Sequence, residues 1–109
     1  MADTFKVLAQ SNPSAATLTD IYTVPGSTST VVSTIVVCNR SAAATSFRIS
    51  IQVANAADDN KQYLYYDVII PGNDTFTLTL GITLATTDVI AVYATLATLS
   101  FNIFGSEIT

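Results

Sequence analysis

Hydrophobic and polar residues alternate with a period of two along much of the chain, the pattern of half-buried β-strands. In residues 46–53, Phe47, Ile49, Ile51 and Val53 point one way and Ser46, Arg48, Ser50 and Gln52 the other. Residues 75–80 alternate as cleanly, with Phe76, Leu78 and Leu80 inward beneath a threonine face, and Gly81 is expected to break the run. Residues 31–39 differ: their β-branched side chains fall on both alternating sets, Val31, Ile35 and Val37 on one and Val32 and Val36 on the other. A strand that cannot leave either face in water needs neighbours beside it and a second layer above, so this segment predicts a central strand. Further strands are expected at residues 5–10, 17–24, 62–70, 89–94 and 98–104, with 82–87 a connection or short edge segment.

Turn chemistry separates these runs. Pro13, the Pro25-Gly26 pair and Pro71-Gly72-Asn73-Asp74 each combine a preset φ or a flexible residue with side chains that bond back to the backbone. The Ala42-Ala43-Ala44 run is too short to stand as a helix. Residues 55–61 are the most polar stretch, and Asp58, Asp59 and Asn60 are expected at an exposed loop tip. Seven or eight strands without a helical period predict an all-β chain. We expect a single antiparallel β-sandwich domain over residues 1–109, jelly-roll or immunoglobulin-like in strand order. A chain of 109 residues can bury roughly two-thirds of its unfolded surface without staples. The absence of Trp and of a cysteine pair argues against a true immunoglobulin domain.

Composition changes the picture in one respect. Charged residues are 11% of the chain against a usual quarter, while hydrophobic residues reach 50%. A surface covered by Thr, Ser, Asn and Ala in place of ions is expected to be hidden in part by other subunits. Four basic residues against eight acidic ones, net −4, disfavour binding to a phosphate backbone, so nucleic acid is not an expected partner. No apolar run approaches the roughly 18 residues of a membrane span. The opening Met-Ala-Asp-Thr has neither a basic start nor an apolar core of a signal peptide, which points to synthesis in a reducing cytoplasm. The lone Cys38 is expected to pack as a small core hydrophobe.

Candidate chemistry is sparse. Without histidine the usual general base, proton shuttle and metal ligand are missing, and with one cysteine no zinc site is expected. Asp20, Asp67, Asp74 and Asp88 stand singly beside turns or in strands, not as a catalytic pair, so no enzymatic activity and no cofactor are expected. Asp58-Asp59-Asn60 lacks the spacing and closing glutamate of a calcium loop and is read as solvated. Asn39-Arg40-Ser41 and Asn73-Asp74-Thr75 match the glycosylation sequon but are read as turns. Tyr63, Tyr65 and Tyr66, with Tyr22 and Tyr93, offer rigid amphipathic area for subunit contact or, as the alternative, for sugar. Alternation places Tyr63 and Tyr65 on one face and Tyr66 on the other. Tyr63, Tyr65, Tyr66 and Phe104 are therefore the candidate subunit or partner contacts.

The run Leu18-x-Asp20-Ile21-Tyr22-Thr23-Val24-Pro25, followed by Val31-Val32-Ser33-x-Ile35-Val36-Val37-Cys38-Asn39, resembles the opening of small virion proteins that recur in tailed bacteriophages. Tyr63-Leu64-Tyr65-Tyr66-Asp67-Val68-x-Ile70-Pro71-Gly72-Asn73-Asp74-Thr75, Thr87-Asp88-Val89-Ile90-x-Val92-Tyr93-Ala94 and Leu99-Ser100-Phe101-Asn102-x-Phe104-Gly105-Ser106-Glu107 extend the resemblance over nearly the whole chain. It implies a non-catalytic structural piece of the particle, made in the host cytoplasm and assembled on the virion exterior beside other virion proteins. The expected role is a capsid decoration or cement protein, a homo-oligomer with a trimer favoured. The alternative is a tail-fibre or baseplate accessory that contacts a host glycan through loops such as residues 55–61.

Overall fold

The computed structural model describes residues 2–109. Eight strands follow one another: β1 (Asp3–Ser11), β2 (Thr19–Thr23), β3 (Ser29–Asn39), β4 (Thr45–Gln52), β5 (Tyr63–Ile70), β6 (Thr75–Leu84), β7 (Val89–Ala94) and β8 (Leu99–Ile108). Two short 3-10 turns, Val53–Asn55 and Asn60–Gln62, lie between β4 and β5. The strands form two antiparallel sheets, β1-β8-β3-β6 and β2-β7-β4-β5. The pairs β1–β8, β2–β7, β3–β6 and β4–β5 are those of one long hairpin folded at residues 53–62. Rolling that hairpin brings β3 against β8 and β4 against β7, closing a β-sandwich. This is the jelly-roll order, not the immunoglobulin one.

The core is built from alternate residues of both sheets. Phe47 is its centre, with the rings of Tyr65, Phe76 and Phe101 at centroid distances of 6.0, 6.0 and 6.2 Å. Ile49, Val92 and Ile90 from one sheet face Ile35, Val37, Phe101 and Ile103 from the other, all fully buried. β3 has a neighbour on each side, as its composition requires.

Several sequence expectations are corrected by irregular pairing. In β3 the register shifts between Val32 and Thr34 against both neighbours. This bulge sends Val32 inward with Ile35 and Val37, so strict alternation assigns the wrong partners. Cys38 follows the inward Val37 and is half-buried on the outer side, not in the core. Val53 leaves the β4 alternation and is 65% exposed in its turn. Gly81 does not end β6: at φ +63° it absorbs the extra residue opposite β3, and the strand runs on to Leu84. β8 likewise runs past Gly105 to Ile108.

Gly105 is required by close approach. A Cβ there would overlap the Val31 carbonyl oxygen on the neighbouring strand. Gly105→Ala is therefore expected to force β3 and β8 apart and to cost about 1–3 kcal/mol, read as a lower urea midpoint. A midpoint equal to that of the native chain would show that the two strands do not meet this closely.

Candidate functional site

The outer face of the β2-β7-β4-β5 sheet carries an aromatic cluster built by an irregular edge strand. Against β4, Tyr63 pairs with Ser50 and Tyr65 with Ile49, and then Val68 pairs with Phe47. Two register shifts thus fall within β5, and Asp67 takes a left-handed φ of 53°. Asp tolerates that conformation better than most residues. The shifts bring Tyr63 and Tyr66 to the outer face together, their rings edge-to-face at 5.0 Å. Tyr65 turns inward onto Phe47. The expected grouping of Tyr63 with Tyr65 is corrected, because alternation fails wherever an edge strand bulges.

Arg48 organises the cluster. Its Nε donates to Asp67 Oδ1 at 2.7 Å and a terminal nitrogen donates to Oδ2 at 3.3 Å. Its guanidinium carbon lies 4.1 Å from the Tyr66 ring centroid and 4.2 Å from that of Tyr93. The cation is thus layered between two rings and held edge-on by a carboxylate, which pushes its pKa further up through the Asp67 hydrogen bond. Tyr63 donates its hydroxyl to Asp58 Oδ1 at 2.8 Å, and burial together with that bond raises its pKa. Asn60, Tyr63 and Tyr66 line a hollow of about 460 Å3 beside the cluster.

Asp58, Asp59 and Asn60 are exposed, as the composition of the loop implies. Asp59 caps the Asn60–Gln62 turn: its side chain accepts from Lys61 N, while Gln62 Oε1 accepts from Asp59 N at 3.0 Å. The Asp59 carboxylate is therefore occupied in shaping its own turn and the Asp58 carboxylate in holding the Tyr63 hydroxyl. Among the described residues no three His, Cys, Asp or Glu side chains gather to hold a metal ion. Among the same residues, no helix is long and apolar enough to cross a membrane.

The outer face of the β1-β8-β3-β6 sheet is of another kind. Phe5 is 81% exposed, Val7 47% and Phe104 36%. In register, Val7, Phe104, Thr34 and Thr79 form a row across all four strands. A shallow hollow of about 410 Å3 opens beside Phe5, Val31 and Phe104. Phe104 was legible as a candidate contact. Phe5 and Val7 were not, because a short terminal strand with mixed residues shows no face until its partner is known.

A polar network closes one end of the sandwich. The Tyr22 hydroxyl lies 2.6 Å from Glu107 Oε2 and 2.8 Å from Thr30 Oγ1, and Lys6 Nζ lies 3.1 Å from Glu107 Oε1. Burial, aided by the Glu107 carboxylate, pushes the Tyr22 phenol up to about 12, while the Tyr22 and Lys6 donors lower the Glu107 pKa. A depressed carboxylate stabilises the fold above its unfolded value of 4.5, and the contribution is lost as pH falls through the folded value. A raised phenol stabilises the fold below its ordinary 10.0, and that contribution is lost as pH rises towards about 12. Tyr22→Phe is expected to reduce the alkaline loss, leaving the part due to Tyr63, and to shrink the acid one in urea titrations at pH 3–7 and 9–12. An unchanged alkaline limb would remove Tyr22 from the network.

These features define a jelly-roll β-sandwich with two unlike outer faces, one aromatic and charged at its edge, the other apolar and hydroxylated. The chain matches no family model, no curated protein and no solved structure.

Proposed function

We propose that the chain is a non-catalytic virion structural protein of a tailed bacteriophage, a decoration or cement protein that assembles as a homo-oligomer, with a trimer favoured, on the capsid exterior. The observation that carries the reading is the exposure of Phe5, Val7 and Phe104 on a sheet whose β3 and β6 strands contain no charged residue. Apolar and hydroxyl groups in that arrangement suit burial against other subunits, where ions would have to be desolvated. The resemblance of residues 18–39, 63–75 and 87–107 to small phage virion proteins supplies the biological setting. Other virion proteins are then the partners, and the virion is the location after synthesis in the host cytoplasm. The role needs no cofactor and uses no catalytic group. Protein copy number in purified particles tests it: a cement protein is present in many copies, whereas a handful per particle rejects capsid placement.

The second reading is a tail-fibre or baseplate accessory that touches a host glycan. It is favoured by the hollow beside Asn60, Tyr63 and Tyr66, since an aromatic ring with amide and hydroxyl groups at its rim suits a sugar. Glycan-array binding by the native chain that is lost in Tyr66→Ala would promote this reading. No binding on the array, together with high copy number, retires it.

A further inference from the structure

We propose that the outer face of the β1-β8-β3-β6 sheet is a homotypic interface, and that what covers it is a second copy of this chain. The inference deepens the proposed role and rests on its element of self-association, not on the identity of the particle; a face that pairs with itself closes a two-fold dimer, so the contact inferred here is a dimer contact in place of the trimer favoured above.

Three observations converge on this face. Its exposed apolar groups are contiguous, since Phe5 and Val7 lie on β1 beside Ser106 and Phe104 of β8. Its interior is free of ions: β3 and β6 carry none, and Lys6, at the rim of the hollow, is neutralised by Glu107 at 3.1 Å. Its remaining positions are largely hydroxyls, with Thr75, Thr77, Thr79 and Thr83 exposed along β6.

The chemistry selects the occupant. A hydroxyl both donates and accepts, and an apolar group needs only another apolar group, so this face is complementary to itself. A charged face would demand an oppositely charged partner. The chain carries a net charge of −4; six of its eight acidic residues lie outside this sheet, and within it Asp3 sits at the end of the β1 edge strand while Glu107 is paired with Lys6. Repulsion between two copies is therefore weaker across this face than across their other surfaces. Its size is adequate as well. Four strands of nine to eleven residues, about 4.8 Å apart and rising about 3.3 Å per residue, span roughly 630 Å2 in projection. Side-chain relief brings the accessible area near the ~800 Å2 per partner of a standard interface. The hollow beside Phe5 and Phe104 can receive an aromatic anchor from the facing copy.

Sedimentation velocity and light scattering on the full chain at tens of micromolar test this. The native protein is expected to run as an oligomer, and the double variant Val7→Lys/Phe104→Lys as a monomer with unchanged far-ultraviolet circular dichroism. Thr79→Lys replaces one exposed polar side chain with another in the same row, so it preserves folding. It is expected to weaken association at least tenfold. Ile69→Lys, a similar charge placed on the exposed edge of the other sheet, is expected to leave the native oligomer intact. An oligomer that survives both Val7→Lys/Phe104→Lys and Thr79→Lys overturns the assignment of the face while leaving self-association standing. A native chain that stays monomeric overturns self-association itself, and copy number in particles then decides the virion role separately.

Discussion

Phe47→Ala is expected to remove about 3–5 kcal/mol of stability, the range for deleting a large buried aromatic side chain. Phe47 is fully buried and touches rings from both sheets, Tyr65 within its own and Phe76 and Phe101 across the sandwich. Alanine would leave a cavity lined by three aromatic residues on three strands, each held by its own ladder of hydrogen bonds, so the walls cannot collapse inward. Domains of this kind are typically stable by only about 5–15 kcal/mol, so the loss is a large share of the total. Urea denaturation followed by circular dichroism measures it. Phe47→Leu is expected to cost less than half as much, because most of the volume is kept. A loss below about 1 kcal/mol for Phe47→Ala would mean that the two sheets do not meet on this ring.

Asn39→Ala is expected to cost about 3 kcal/mol or more, since each buried group left without a partner costs about 1–3 kcal/mol. Asn39 is 1% exposed and ends β3 as a hub for three connections. Its Nδ2 donates to the carbonyls of Ala43 and Pro71 at 2.9 and 3.1 Å. Its Oδ1 accepts from Ser41 N and from the Thr98 hydroxyl, both at 3.1 Å. The β3–β4, β5–β6 and β7–β8 connections are thus tied at one end of the sandwich by one side chain. Asn39→Asp is the sharper test. It keeps the acceptor but turns the donor into a second acceptor facing two carbonyls, so it is expected to lose at least as much as alanine at neutral pH. If Asn39→Asp instead matches the native midpoint, the amide is not donating where the geometry has it. The same burial corrects the reading of the Asn39 sequon as a turn: Asn39 ends β3, with its amide nitrogen engaged inside the fold.

Seven or eight strands and a sandwich were legible because their physical causes are local. Period-two alternation at Phe47, Ile49 and Ile51, or at Phe76, Leu78 and Leu80, needs only a wet side and a dry side. Turn residues such as Pro71-Gly72 and Pro25-Gly26 mark the ends without reference to the rest of the chain. The exposed tip at Asp58, Asp59 and Asn60 was legible for the same reason. What failed were inferences that carried alternation across an unseen bulge. Residues 31–39 slip their phase at Ser33, β5 slips twice before Val68, and Gly81 continues a strand that its flexibility suggested it would stop. The site was harder still. Tyr63 and Tyr66 share a face only because the register slips between Tyr63 and Tyr65, and Arg48 becomes the centre of the cluster only because β4 lies between β5 and β7.

By itself, then, the amino-acid order determined that there are seven or eight strands and roughly where they lie, the two-layer character and the shortage of ions on the surface. Each of these follows from the transfer of side chains between water and an apolar interior, which is a property of residue type and spacing. The tertiary structure decided which strands are neighbours, and so which of the two sandwich orders is adopted. It also decided that Phe5, Val7 and Phe104 share one open face, that Arg48 is layered between Tyr66 and Tyr93, and that Asn39 joins three loops. Those are relations between residues far apart along the chain. They depend on hydrogen-bond register, and one extra residue in a strand is enough to reverse the side on which every later side chain lies.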